Sequence, residues 1–247
     1  MIKNRCTTEC FLDIRYEKTA EKQKNLETLM NSKYSENSNP TTSKHLKKSR
    51  FTEMLIEANA LDSSTFESWV FCHGMLFNNK DKWWGNYGQR DYPHEGIELC
   101  LYSGRSRKIR RIGETTRIPL MHDGVVKAIF KDYLGQSVVL EHKNANNNIE
   151  KFISMYAHTN PRSGIEIGSV LQEGDIIATL GDTRNLKSKI LPHLHFSLGL
   201  PAHSFSYDRF VWNTIRMPDM ITLLDPLPII DWPYRVLDGV TPARCEL

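Results

Sequence analysis

The most informative segment of the sequence is Ile190-Leu191-Pro192-His193-Leu194-His195-Phe196-Ser197-Leu198. Its apolar composition predicts a β-strand. Because successive side chains of a strand alternate between its faces, His193 and His195 point the same way, about 6.6 Å apart along the chain. Imidazole is the commonest protein ligand for zinc, so this pair predicts a metal site if the chain supplies a third ligand. Without a third ligand, the pair is a polar stripe on a half-exposed strand.

Outward from this segment, short apolar runs alternate with turn residues, and several of the runs are bounded by glycines. This pattern predicts a mainly β fold with an antiparallel sandwich or barrel-like core, rather than alternating β and α units. The candidate strands are residues 96–102, 124–130, 137–142, 152–158, 175–180 and 193–198.

The composition divides the chain into an N-terminal helical segment with a polar linker, a helical lead-in, the β core and a proline-rich C-terminal extension. Their predicted bounds are residues 1–49, 50–82, 83–205 and 206–247. Helical spacing of leucines predicts the first helix at 15–33, and an amphipathic pattern predicts another at 51–61. Ser64 and Glu67 form a possible capping box for a third helix. The prolines of the last part prevent a long helix and predict an irregular segment wrapping the core.

The overall composition excludes several classes of protein. A net charge of +3 on 247 residues is too small to predict nucleic-acid binding. The longest apolar runs fall far short of the roughly 18 residues that a membrane span requires. Five irregularly spaced cysteines favour thiols over a disulfide framework or a cysteine zinc site. The charged start of the chain is not typical of a secretory signal, and the sequence leaves the compartment and the oligomeric state open.

A second segment, Pro93-His94-Glu95-Gly96-Ile97-Glu98, places a histidine and a carboxylate with three residues between them. On a straight strand His94 and Glu98 share a face but lie about 13 Å apart, which is too far for one ion. Gly96 resolves this if it marks a bulge or a sharp bend that draws the two side chains together. The alternative is a surface histidine and glutamate beside a turn.

A third segment, Ser154-Met155-Tyr156-Ala157-His158, ends a predicted strand with a histidine just before a loop. Catalytic groups concentrate at loop edges on a rigid β scaffold, although many histidines there are plain surface residues. The position of His158 alone therefore assigns it no role.

These motifs together resemble the lysostaphin and LytM family of zinc metallopeptidases, over roughly residues 83–200. Several ordered motifs at compatible spacing are far more specific than any one of them. In chain order they are His94-Glu95-Gly96-Ile97 followed by the acidic Glu98, then Asp123-Gly124-Val125, Tyr156-Ala157-His158, the run Val-Leu-Gln-Glu-Gly-Asp-Ile-Ile-Ala-Thr-Leu-Gly at 170–181, and His193-Leu194-His195-Phe196.

The resemblance implies a β-sheet core of the duplicated hybrid motif type and one zinc ion. The residues that match the family's zinc ligands are His94, Glu98 and His195, and those that match its catalytic histidine pair are His158 and His193. The implied activity is hydrolysis of peptide bonds in bacterial cell-wall peptidoglycan or another peptide substrate. The implied location is the cell envelope or another extracytoplasmic site.

One position departs from the family, which has aspartate where this chain has Glu98. The extra methylene shifts the carboxylate by roughly an ångström or more unless the backbone compensates. Two functions therefore stay open: an active zinc endopeptidase, and a degenerate metallopeptidase-like domain that binds wall or a protein partner without cutting. A histidine phosphocarrier with two facing histidines is a third class, but it leaves His94 and Glu98 unexplained.

Two groups of side chains near these motifs have two interpretations each. Trp83, Trp84 and Tyr87 either wall a substrate groove or pack in the core. The basic run at 105–111 is either a solvated hairpin tip, which we favour, or a binding site for a phosphate-bearing wall polymer. His142 also fits the family pattern, where it is not a ligand.

Overall fold

The structure is a computed structural model that describes residues 46–62, 65–143, 150–183, 190–208 and 210–238. The helix predicted at 15–33 and most of the polar linker lie outside the described residues. Within the described ranges, no helix is long and apolar enough to cross a membrane.

Strands make up most of the regular structure in these ranges. The strands are β1 Ser68–Cys72, β2 Ile97–Leu99, β3 Leu101–Ser103, β4 Ile109–Arg111, β5 Arg117–Pro119, β6 Gly124–Lys131, β7 Gln136–Lys143, β8 Lys151–Pro161, β9 Val170–Leu171, β10 Ile176–Leu180, β11 Leu194–Pro201, β12 Ile221–Leu224 and β13 Tyr234–Leu237. The helices are α1 Phe51–Ala58, α2 Trp212–Ile215 and α3 Leu227–Ile230. The prediction of a mainly β fold is confirmed.

The larger sheet has nine strands, and its main path runs β12-β11-β8-β7-β6-β9. β2 pairs with β11, and β10 pairs with both β5 and β8. All of these pairings are antiparallel, as predicted. The path is open, so the core is not a closed barrel. β2 and β12 pair with β11 at residues 194–196 and 198–201, and β8 pairs with it at 195–199. The strand that contains His195 therefore has neighbours on both sides.

The smaller sheet has four strands in the order β13-β1-β3-β4. β1 pairs with β13 in parallel, which is the exception to the antiparallel pattern among the described strands. The basic run is the tip of the β3–β4 hairpin, and residues 105–108 are exposed there. The prediction of a hairpin tip is confirmed.

The six strands predicted from the sequence are all present, with ends shifted by a few residues. The largest difference is at 96–102, which was predicted as one strand and forms two. β2 pairs with β11 in the larger sheet and ends at Leu99, and β3 then pairs with β1 in the smaller sheet. The helix predicted at 51–61 is α1, which ends at Ala58.

Two predictions outside the core are wrong in part. The predicted helical lead-in contains β1, whose Trp69, Val70 and Phe71 are fully buried and favour a strand. The C-terminal extension was predicted to be irregular, but β12 joins the larger sheet and β13 the smaller one. The prolines do limit its described helices to four residues each.

The main core lies between α1 and the face of the larger sheet that it covers. Phe51 of α1 stacks on Phe196 of β11 with ring centroids 5.6 Å apart, and Tyr156 of β8 packs against Phe196 at 5.1 Å. A second, smaller apolar cluster includes Met155 of β8 and Ile215 of α2. Because β8 contributes Tyr156 to one cluster and Met155 to the other, its alternating side chains bury both faces of the sheet.

The chain bends at Glu95 and Gly96 just before β2, as the sequence predicted. Gly96 also lies directly against β11. A Cβ atom at this position would stand 2.2 Å from the carbonyl oxygen of Phe196, far inside van der Waals contact. The absence of a side chain therefore lets β2 pair closely with the strand that carries the histidines.

Replacement of Gly96 by alanine should destabilise the fold by about 1–3 kcal/mol, because the backbone of β11 must move to admit the methyl group. Gly113→Ala is the matched control, since a Cβ atom there has no neighbour within 4 Å. The control should stay within about 0.5 kcal/mol of wild type. Denaturant unfolding measures both. Equal stability of the two variants would contradict the close approach at Gly96.

Candidate metal centre and active site

The pairing of β2 with β11 brings two of the candidate ligands together. Glu98 lies directly opposite His195 in the antiparallel register, and opposite residues project from the same face. His193 precedes β11 and reaches the same carboxylate, with its Nε2 3.3 Å from Glu98 Oε2. The same-face geometry expected of the two histidines is therefore observed.

Three donor atoms converge at this point. His94 Nε2 lies 3.0 Å from Glu98 Oε1 and 3.2 Å from His195 Nδ1, and His195 Nδ1 lies 3.4 Å from Glu98 Oε1. All three side chains are buried. A tetrahedral zinc with bonds of 2.0–2.1 Å holds its ligand atoms about 3.3 Å apart. The triangle of donor atoms matches that spacing closely.

The rings of His94 and His195 each make a further hydrogen bond on the side away from the triangle. His94 Nδ1 lies 2.9 Å from the carbonyl oxygen of Leu76, which only accepts, so Nδ1 carries the proton. His195 Nε2 lies 2.9 Å from Ser197 Oγ. Outer hydrogen bonds of this kind orient histidine ligands in metal sites.

Glu98 is ionised in this setting. Burial raises the pKa of its carboxyl group, but the nearby rings of His193, His195 and His94 hold that pKa well below its ordinary value. Within the described residues, Glu98 Oε2 is buried without a hydrogen-bond partner. A buried anionic oxygen that lacks a donor is costly in a folded protein, which again fits a site built for a cation.

His158 reaches the site because β8 bulges there. Two residues of β8, Ala157 and His158, stand opposite the single residue Ser137 of β7. The backbone of His158 is left-handed, with φ of 64°. Ala157 faces His195 across the strand pair, so simple alternation would send His158 to the other side of the sheet. The bulge instead places its ring 5.8 Å from that of His195, measured between centroids.

Asp132 holds this bulge. Its carboxylate accepts the backbone N–H of His158 at 2.9 Å, the hydroxyl of Ser137 at 2.7 Å and, at 3.1 Å, the Nδ1 of the His158 ring. A carboxylate that accepts from Nδ1 fixes the tautomer and leaves Nε2 as the free acceptor. Burial raises the pKa of Asp132, but its bonds and charge interaction with His158, together with Ser137, keep that pKa far below its ordinary value.

His193 is the most enclosed ring of the group. Its Nδ1 lies 2.7 Å from the carbonyl oxygen of Leu191, and Trp83 packs edge-on at 4.9 Å. Burial lowers the pKa of His193 to about 4, against a smaller opposing effect of Glu98. Its ring lies 5.0 Å from that of His158, so the two predicted catalytic histidines are neighbours beside the ligand triangle.

The C-terminal segment closes one side of the site. Trp212 of α2 stacks on His158 at 5.6 Å, with 11° between the ring planes, and packs against His195 at 5.1 Å. Arg216 forms an ion pair with Glu95, which is buried beside the ligands. A carboxylate oxygen of Glu95 lies within 4.8 Å of ligand nitrogens of His94 and His195, so Glu95 is a second candidate carboxylate for the metal.

Arg90 forms another wall. Its guanidinium lies over the ring of Trp84 at 4.6 Å, and its Nη2 is 3.7 Å from Glu98 Oε1. Burial lowers the pKa of Arg90, while Glu98 opposes that shift. Glu98 thus faces a fixed positive charge as well as the histidine rings.

The site opens into a cavity of about 490 Å³. The side chains that line it include all five site residues predicted from the sequence and a mixture of aromatic and charged groups. They are Lys82, Trp84, Arg90, Asp91, Tyr92, His94, Glu95, Glu98, Asp132, Tyr133, Leu134, His158, Ile190, His193, His195, Trp212 and Arg216.

The three aromatic residues upstream of His94 have different positions. Trp84 lines the cavity, as the groove interpretation expects. Trp83 is buried against His193 and belongs to the core. Tyr87 is exposed and does not line the cavity. His142 lies in β7, bonded to Asp123 and Ser154, outside the ligand triangle.

Sequence reasoning missed the side chains that surround the ligands. Asp132 belongs to a hairpin connection, where aspartate is expected for reasons of turn chemistry alone. Trp212 and Arg216 lie in the extension that was assigned no role. Glu95 was visible beside His94, but nothing in the spacing indicated that its carboxylate turns toward the ligands.

Residues 111–204 match the family model described as Peptidase family M23. The match covers less than half of the chain. The resemblance drawn from the motifs is confirmed. The matched residues include His158, His193 and His195, but they begin after His94 and Glu98 and end before Arg216. The M23 match thus covers β11, whereas β2 with the candidate ligand Glu98 lies outside it.

Several solved structures are similar to the chain. A solution structure of lysostaphin is 21% identical, with 72% of this chain and 59% of that chain covered and a TM-score of 0.37. The antimicrobial peptidase lysostaphin from Staphylococcus simulans is 20% identical over 68% and 54%, with a TM-score of 0.35. The catalytic domain of a prophage-encoded M23 protein, EnpA from Enterococcus faecalis, is 19% identical over 57% and 97%, with a TM-score of 0.32. The chain spans less than two thirds of either lysostaphin chain. No curated protein sequence shows significant similarity to it.

The depressed pKa of Asp132 predicts a pH-dependent contribution to stability. The ionised carboxylate of Asp132 stabilises the folded state fully above its ordinary pKa of 3.8. This stabilisation is lost as the pH falls from 3.8 toward the lower pKa that Asp132 has in the folded protein. Asp132→Asn removes this titration. The difference in unfolding free energy between wild type and variant should therefore shrink by about 1 kcal/mol between about pH 7 and about pH 3.

Denaturant unfolding at both pH values measures this difference, and Asp208→Asn, at an exposed carboxylate, controls for the loss of a charge. A difference that stays the same at both pH values would contradict the assigned role of Asp132.

Proposed function

We propose that this protein is a zinc-dependent endopeptidase that hydrolyses peptide bonds of bacterial cell-wall peptidoglycan. The observation that carries the proposal is the convergence of His94 Nε2, Glu98 Oε1 and His195 Nδ1 to within 3.4 Å of one another. Two imidazoles and one carboxylate form a recurrent protein ligand set of catalytic zinc sites, which keep a position open for water or substrate. The match to the M23 peptidase family supports the reaction class.

The glutamate at position 98 is compatible with this assignment. Its longer side chain still brings Oε1 to 3.0 Å from His94 and 3.4 Å from His195, because β2 is held close to β11 at Gly96. We assign the three ligands as His94, Glu98 and His195.

Zinc bound by these ligands supplies a Lewis acid for the scissile carbonyl and acidifies a water molecule. His158 is assigned as the proton acceptor. Asp132 holds the ring at Nδ1 and fixes its tautomer, in the manner of an aspartate behind a catalytic histidine. His193 lies beside His158 and the ligands, and we assign it as the second member of the catalytic histidine pair, next to the position of the carbonyl oxygen.

The substrate class rests on the family and on the shape of the site. The cavity has a volume of about 490 Å³, and its mixed lining offers aromatic walls and charged groups for a polar peptide. A peptidoglycan substrate places the action of the protein at the cell envelope or elsewhere outside the cytoplasm.

The second candidate function is a domain that binds wall peptides or a protein partner without cutting. Two observations favour it: glutamate replaces the family's aspartate, and Arg90 Nη2 lies 3.7 Å from the Glu98 oxygen that is assigned to the metal. Glu98→Asp separates the two functions. If the wild-type protein is inactive and Glu98→Asp releases peptides from cell-wall sacculi, the binding function is correct. An active wild type supports the endopeptidase.

Purified protein should contain about one zinc ion per chain, and His195→Ala should lose most of it because two ligands cannot hold the ion tightly. His203→Ala, at an exposed histidine, is the matched control and should keep the metal. Elemental analysis after dialysis provides the measurement. Equal zinc in wild type and His195→Ala would exclude the assigned centre.

His158→Ala should retain zinc but lose activity by about 10²–10⁴-fold, because it removes the proton acceptor and leaves the ligands intact. The activity is the release of new amino groups from purified sacculi by zinc-loaded protein. Activity of His158→Ala within a few fold of wild type would contradict its catalytic role.

A further inference from the structure

The ligand triangle has a second buried carboxylate beside it, that of Glu95. Its side chain is 4% exposed and faces the cavity. One of its oxygens lies within 4.8 Å of a ring nitrogen of His94 and of a ring nitrogen of His195. Glu95 is therefore near enough to compete for a metal ion held by these two histidines.

The number of protein ligands decides what such a site can do. Zinc with three protein ligands keeps one position for water or substrate, whereas zinc with four is closed and structural. If Glu95 joined His94, Glu98 and His195, two carboxylates and two imidazoles would complete the tetrahedron. The charge of the ion would then be neutralised, and no position would remain for chemistry.

Arg216 is placed to prevent this closure. Its Nε donates to Glu95 Oε1, and its guanidinium lies over the ring of Tyr92 at 5.2 Å. Arg216 directly follows α2, whose Trp212 packs on His158 and His195. Both contacts come from the same short segment, so the C-terminal part of the chain holds Glu95 and covers the histidines together.

We propose that Arg216 is a positioning residue that keeps Glu95 out of the fourth coordination position, so that this position stays open for water or substrate. The inference rests on the proposed zinc function. The guanidinium of Arg216 neutralises the carboxylate of Glu95, which would otherwise be attracted to the positive charge of the metal ion. The C-terminal segment is thereby part of the active centre.

The test compares four variants of the full-length protein with wild type: Arg216→Gln, Arg216→Lys, Glu95→Gln and the double variant Arg216→Gln/Glu95→Gln. Arg162→Gln, at an exposed arginine, controls for the loss of a surface charge. Two readouts do not depend on activity. One is the zinc dissociation constant from competition with a chromogenic chelator. The other is the visible spectrum of the cobalt-substituted protein with and without added azide, which binds only at an open position.

Arg216→Gln should bind zinc on the order of tenfold more tightly, because it gains a ligand, and its cobalt spectrum should no longer respond to azide. Its peptide hydrolysis should fall. The double variant should return to the zinc affinity and azide response of wild type, since it lacks the carboxylate that closes the site. Arg216→Lys, which keeps the charge, and Glu95→Gln should both keep the azide response.

Unchanged or weaker zinc binding by Arg216→Gln, or an azide response equal to that of wild type, would overturn the role of Arg216. If wild type binds zinc and cleaves sacculi while Arg216→Gln behaves like it, this inference alone fails. If wild type binds no zinc, the proposed function fails with it.

Discussion

The register of β2 against β11 is the constraint on which the site depends. It sets Glu98 opposite His195, and the absence of a side chain at Gly96 lets the two strands lie close together there. A shift by one residue would turn the carboxylate to the other face of the sheet. Since β11 is also flanked by β8, whose His158 completes the group, three strands must pair correctly before any of these side chains meet.

Burial gives the cluster its chemical character. Glu98, His94, His193 and His195 are each at most 3% exposed, so their charges and lone pairs are not solvated by bulk water. Buried polar groups of this kind are stable only when they are paired, protonated or bound to a metal. Arg90 and the neighbouring rings compensate the negative charge of Glu98 in part. A zinc ion would complete the compensation, which is why the donor set and the burial point to the same function.

Residues around the candidate site also hold the fold. Asp132 ties down a bulge in β8 and orients the ring of His158 with the same carboxylate. The strained, left-handed backbone at His158 persists because that carboxylate and Ser137 hold it. The C-terminal segment likewise adds β12 to the sheet and Trp212 to the site.

The sequence by itself determined the mainly β fold and the six central strands, because alternation is a local property of the chain, and its ordered motifs predicted five site residues. The structure brings all five to one cavity. What only the tertiary structure decided is the rest of the centre: the bulge that re-aims His158, the turn residue Asp132 behind it, and the approach of Glu95 and Arg216. Those contacts join residues far apart in the chain, and they depend on strand register and on the path of the C-terminal segment, which no local pattern encodes.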